Sequence, residues 1–247
     1  MKPSSPAKAL VHCAVLVNLQ NHVSLSTSDR SAVEAFICQS GRRLEPGYEL
    51  IRAGHSGKGY ALLEGWIARE VILPDGRQQV VALFIPGDIF DLGAELIEEC
   101  EYSLRALTAA TVREISRAQV HRLIEQHPNL REALAWEQLL QIAVTGQWVV
   151  SLGQRDAVER IAHFFCEIYS RLHSVGLTNG NECNLPLTQA VLAEIVGMTK
   201  VHVSRSLRKL RSEGLVEFGN ARLRIPDLHR LAQIGQFDPM YLHLAHR

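Results

Sequence analysis

The sequence predicts an α+β chain in three parts: an N-terminal antiparallel β-roll (jelly-roll-like), a long helix suited to dimerisation, and a C-terminal winged helix-turn-helix. Three observations predict it. Between Leu44 and Ser116 short apolar stretches alternate with Gly and Pro turn signals, the texture of a compact antiparallel roll. From about Asn129 to Gln154 apolar residues recur at helical spacing. Beyond Leu187 two short helical patterns flank Gly197, the layout of two helices joined by a tight turn. The parts are assigned to residues 25–127, 128–155 and 156–230.

Residues 1–24 carry little punctuation and are compatible with a short leading helix. From Ser26 to Ser40, Val33, Phe36 and Ile37 recur at helix spacing. In the roll, Ile67 to Leu73 and Gln79 to Ile85 flank Pro74-Asp75-Gly76, and two apolar runs around such a triplet read as a hairpin. A short helix is expected from Arg117 to Gln126, punctuated by Pro128. In the long helix that follows, Leu130, Leu134, Leu140 and Val144 are joined by Trp136, Leu139, Ala143, Trp148 and Val149, more apolar surface than one core needs. Leu134, Leu140, Val144 and Trp148 are the expected dimer contacts, with a wholly buried monomeric helix as the alternative. A further helix is expected from Asp156 to Leu172, with Val158, Ile161, Ala162, Phe165 and Ile168 on one side. Ser174 to Asn184, rich in Gly and Asn, reads as a loop.

Thr188 is a good N-cap for a helix to about Val196, and Gly197 permits a tight turn. Thr199 can cap a second helix to about Ser212, which Gly214 can end. In that helix Val203, Leu207 and Leu210 fall at i, i+4 and i+7 and face a core. Lys200, Val201, Ser204, Arg205 and Arg208 are left on the outer side. Leu215 to Phe218, Gly219-Asn220 and Arg222 to Ile225 then form a small hairpin, the wing.

Charge supports a nucleic-acid face here. The 247 residues hold 26 Lys+Arg against 26 Asp+Glu, so the chain as a whole is neutral. From Leu185 to Pro226, however, Lys200, Arg205, Arg208, Lys209, Arg211, Arg222 and Arg224 face only Glu194, Glu213 and Glu217, a patch of about +4. From Asp88 to Glu101, Asp88, Asp91, Glu95, Glu98, Glu99 and Glu101 face no cation at all. The five cysteines, Cys13, Cys38, Cys100, Cys166 and Cys183, form no C-x-x-C pair and fit a reduced cytoplasm. No run approaches the ~18 to 20 apolar residues that span a bilayer. No G-x-S-x-G, P-loop or H-E-x-x-H motif points to an enzyme.

The segment resembles the winged helix-turn-helix of the Crp/Fnr family of bacterial regulators. Leu187-Thr188, Ile195-Val196-Gly197-Met198-Thr199, Val203-Ser204-Arg205 and Glu213-Gly214-Leu215-Val216 carry the match, with Pro86-Gly87-Asp88 in the roll. The resemblance covers residues 25–230. It implies a cyclic-nucleotide-binding-like roll as sensor, a dimer helix, double-stranded DNA as ligand and RNA polymerase as a further partner. The expected DNA-contacting residues are Thr188, Gln189, Thr199, Lys200, Val201, His202, Ser204, Arg205 and Arg208. Among them Arg205 suits the O6 and N7 acceptors of guanine, while Val201 stands where many members carry a glutamate.

The sensor half departs from cyclic-AMP-binding members, which carry Gly-Glu and Arg-Ser pairs in the loop after Pro-Gly-Asp. Here Asp91 to Glu101 is short and acidic, and the expected Arg-Ser pair becomes Cys100-Glu101. A cyclic phosphate wants a cation, so cyclic AMP is not expected and the effector is left open. The nearest cation, Arg105, aligns to the following strand. The cysteine spacing does not suit an iron–sulfur cluster. A haem or small-ligand sensor whose winged domain serves protein contacts is the competing reading, with scattered histidines (His12, His22, His55, His121, His127, and the tail pair His243 and His246) as its only material.

Overall fold

The structure is a computed structural model that describes residues 14–37 and 41–244. Cys13, Cys38, His12 and His246 lie outside the described residues. A helix α1 (residues 14–20) and α2 (Thr27–Ile37) precede the roll. The roll is built from β1 (Arg42–Leu44), β2 (Glu49–Ile51), β3 (Gly59–Glu64), β4 (Ile67–Ile72), β5 (Gln78–Phe84), β6 (Ile89–Phe90), β7 (Ser103–Ala106) and β8 (Ala110–Ile115). These form two four-stranded antiparallel sheets, ordered β1-β8-β3-β6 and β2-β7-β4-β5. Leu44, Leu62, Phe84, Phe90, Leu104 and Val112 pack in the roll's core. The hairpin expected around Pro74-Asp75-Gly76 is β4–β5, paired from Ile67 with Phe84 to Ile72 with Gln78.

Helix α3 (Arg117–Gln126) starts on a reciprocal cap between Ser116 and Gln119. Then α4 (Pro128–Gln154) runs for 27 residues, with proline in its first turn, where the missing N–H costs nothing. It is apolar around most of its circumference, so the sequence alone cannot choose its inward side. The fold does. Leu130, Ala133, Leu134, Glu137, Leu140, Val144, Trp148 and Ser151 are buried within the chain. This corrects the expected dimer set: Leu134 packs on α1 and the roll, while Leu140, Val144 and Trp148 join the core shared with the winged part. The exposed stripe is a different one, Ala135, Leu139, Ile142, Gly146 and Val149, spaced four, three, four and three residues apart.

Asp156 caps α5 (Ala157–Ser174) by accepting from the N–H groups of Val158 and Glu159. The loop expected from 174 to 184 instead holds β9 (Thr178–Asn179) and β10 (Glu182–Asn184). Strands this short show no alternation in sequence; β10 forms because β12 pairs with it, Cys183 opposite Leu223. After α6 (Gln189–Val196) and α7 (Lys200–Ser212), β11 (Glu217–Gly219) and β12 (Arg222–Arg224) complete a sheet ordered β11-β12-β10-β9. The chain returns in α8 (Leu228–Gly235), which packs on α5 so closely that a side chain at Gly235 would meet the His163 backbone at 2.4 Å. Tyr241 then donates to Glu167 at 2.8 Å, which anchors the segment beyond residue 230 to α5. No helix among the described residues is long and apolar enough to cross a membrane.

Candidate nucleic-acid interface

The turn between α6 and α7 is fixed by local chemistry. The Thr188 hydroxyl accepts from the Val191 N–H, and the Thr199 hydroxyl from the His202 N–H. Gly197 lies between them at φ 62°, in the left-handed region that disfavours side chains. Within α7, Val203, Ser206, Leu207 and Leu210 are buried. The opposite side carries Lys200, Val201, His202, Arg205 and Arg208, all exposed, with Ser204 half-buried beside them. Val201 is 65% exposed, unusual for an apolar residue on a packed helix. Thr188 and Gln189 are exposed at the start of α6, and Thr199 at the start of α7.

The electrostatics of this face are simple. Among the described residues Lys200, Arg205 and Arg208 have no carboxylate partner. Other basic residues of the patch are engaged: Arg211 donates to the Phe218 carbonyl, and Arg224 bridges Glu217 and Glu182. Arg222, at the start of β12, is exposed and has no ion-pair partner among the described residues. The expected contact set omitted it. Its sequence signal was the Gly219-Asn220 turn just before it, where Asn220 and Ala221 adopt positive φ (51° and 59°).

Within the roll, one acid of the acidic loop has a cation partner. Arg69 of β4 pairs with the buried Asp91 carboxylate, whose other oxygen accepts from Tyr102 at 2.8 Å. The Arg69 guanidinium also lies 4.7 Å from the Tyr102 ring centre and 5.3 Å from that of Phe84. Burial pushes the Asp91 carboxyl up, and Arg69 draws it back down. Reading the loop alone missed this cation because Arg69 stands 22 residues before its partner. Arg105, the nearest cation in sequence, does lie on β7, where it donates to Glu70 at 2.7–2.9 Å.

Comparison with known proteins agrees with this architecture. Residues 41–127 match the cyclic nucleotide-binding domain and residues 159–234 the Crp-like helix-turn-helix domain. The chain is 30% identical over 177 residues to the nitrogen fixation regulation protein FixK of Bradyrhizobium diazoefficiens, covering 71% of this chain and 73% of the relative. It is 29% identical over 195 residues to a probable transcriptional activator of Rhizobium leguminosarum bv. viciae, covering 78% and 80%. The solved structure of FixK2 from Bradyrhizobium japonicum superposes with a TM-score of 0.67 at 23% identity, covering 79% of this chain and 96% of that one. With the roll, the long helix and the open cationic helix-turn-helix in one chain, the protein belongs to the Crp/Fnr family and is a DNA-binding transcription regulator of that type.

Proposed function

We propose that this regulator binds a near-palindromic DNA site as a homodimer joined along α4. The observation that carries this reading is the pairing of two unsatisfied surfaces. One is the outer face of α7, where Lys200, Arg205 and Arg208 have no carboxylate partner among the described residues. The other is the stripe through Leu139, Ile142, Gly146 and Val149 on α4, with Ile142 69% exposed and Leu139 54%. Apolar residues alternating at three and four fit a coiled-coil seam. A twofold dimer on that seam presents two α7 helices to successive major grooves about 34 Å apart. Arg205 reads a guanine, Val201 packs on a thymine methyl, and Lys200, His202, Ser204 and Arg208 hold phosphates.

The effector is not cyclic AMP in this reading. Arg69, the cation that reaches the acidic loop, is already satisfied by Asp91, and a phosphate there would have to displace that carboxylate. Calorimetry is expected to show no cyclic AMP site tighter than about 10 μM, or ~−7 kcal/mol. The regulator acts in the cytoplasm, and its kinship with proteins described as transcriptional activators supports contact with RNA polymerase.

The test is light scattering on the parent and on the double variant Ile142→Glu/Val149→Glu. The parent is a dimer at micromolar concentration. The variant is a monomer that loses on the order of 100-fold in affinity for a two-half-site duplex, because the second half-site no longer adds its avidity. A monomeric parent contradicts the proposal.

A further inference from the structure

Two polar contacts tie the winged part to the roll. The deeper one is at the Pro86-Gly87-Asp88 corner, where Arg171 of α5 donates to Asp88 at 2.8 Å and to the Leu83 carbonyl at 3.1 Å. The shallower one grips the helix-turn-helix itself. Glu70 of β4 is buried and accepts from Arg105 and, at 2.9 Å, from Gln78. Both donors reach on to Glu194 of α6, Gln78 at 3.2 Å and Arg105 at 3.4 Å. Beside them Gln79 donates to the Ile195 carbonyl at 3.2 Å. The Gly197 turn sits between the end of α4 and the same strand, β5, since a Cβ there would meet the Leu152 side chain of α4 at 2.5 Å and that of Gln79 at 3.4 Å.

The grip is built to hold and not to cover. It engages α6, the helix before the DNA-reading one, while Lys200, Val201, Arg205 and Arg208 stay exposed. It is also graded. Arg105 belongs first to Glu70, which is 2% exposed on its side chain, and shares its charge with Glu194, which is 30% exposed. Removing Glu194 therefore leaves no buried charge alone. On β4 the neighbouring residues divide the work: Arg69 is tied to Asp91 in the roll, Glu70 to the contact with α6, and the β4–β5 register shifts between them.

We propose that Arg105 and Glu194 are positioning residues for DNA binding. Their bridge fixes the helix-turn-helix on the roll, so that the two α7 helices of the dimer stand at one spacing. This rests on the dimer reading above. A domain already held in place loses less freedom when both half-sites are engaged, whereas a single half-site demands no fixed spacing.

The experiment uses the full chain and three duplexes of equal length: two half-sites at the preferred spacing, two half-sites moved apart, and one half-site. Glu194→Ala is expected to weaken binding at the preferred spacing by about fivefold per protomer, the scale of a partly exposed ion pair. It leaves the one-half-site duplex within about twofold and flattens the dependence on spacing. Glu194→Gln, which keeps an acceptor, falls between parent and Glu194→Ala. Gln78→Ala shifts the same way and guards against a folding defect peculiar to one variant. Equal loss on all three duplexes, no loss, or tighter binding overturns the positioning role. A parent with no preference for two half-sites over one overturns the dimer reading as well, and shows it before any variant is compared.

Discussion

The arginines of this chain are used in two opposite ways. On α7, Arg205 and Arg208 point into solvent with no carboxylate partner among the described residues. At the roll and its junctions, Arg69, Arg105 and Arg171 are paired with Asp91, Glu70 and Asp88, each carboxylate nearly or wholly buried. The difference teaches where the partner is. A cation beside a buried carboxylate is holding the protein together, and its loss leaves a charge stranded. A surface cation left open costs little and stays available for a phosphate or a base edge.

Substitution of one arginine from each class separates the two uses. Arg171→Ala strands Asp88 and is expected to cost ~3–5 kcal/mol of stability, read by denaturant unfolding. A loss under 1 kcal/mol would put Arg171 in the other class. Arg205→Ala, by contrast, leaves stability within about 0.5 kcal/mol while weakening DNA binding.

The junction also carries a proton. Glu137 of α4 is buried, accepts from the Asn18 amide at 3.0 Å, and lies near Asp88 and Arg171. Burial and then the Asp88 charge push its carboxyl up to about 8 from an ordinary 4.5. Between those values the unfolded chain is ionised at this residue and the folded chain is protonated. Stability from this group therefore falls as pH rises from 4.5 toward 8. Glu137→Gln removes that penalty. Its advantage over the parent should be small at pH 5 and reach roughly 4 kcal/mol at pH 8, measured as unfolding midpoints. An advantage that is flat with pH would show that Glu137 is ionised throughout.

The smallest expected effect sharpens the exposed class. Arg208→Ala weakens all DNA sequences alike and lowers the salt slope by about 1, as a phosphate contact does. A changed base preference in this variant would move Arg208 from phosphate to base.

What the sequence made legible follows the same division. The reading helix was visible because its signals are local: Thr188 and Thr199 each cap the helix that follows, Gly197 is the turn, and Val203, Leu207 and Leu210 mark the inward side. The inward side of α4 was not visible, because Leu134 and Leu139 are both leucine and only the docking of the roll and α5 separates buried from exposed. The pairings that hold the junction join residues far apart, such as Asp88 and Arg171, which are 83 positions apart, and no local pattern announces them. The helix after residue 227 had a signal that went unused: Asp227 caps α8 by accepting from the Arg230 N–H.

Binding-site selection on the parent and on Arg205→Ala, at two salt concentrations, tests the central claim most directly. The claim is that the unpartnered cations of α7 read DNA. The parent should select a near-palindrome with a guanine preferred in each half and should bind more weakly at higher salt. Arg205→Ala should lose ~1–3 kcal/mol per half-site and relax the preference at that base pair alone. If Arg205→Ala keeps the parent's preference at every position, the role given to this face of α7 is contradicted.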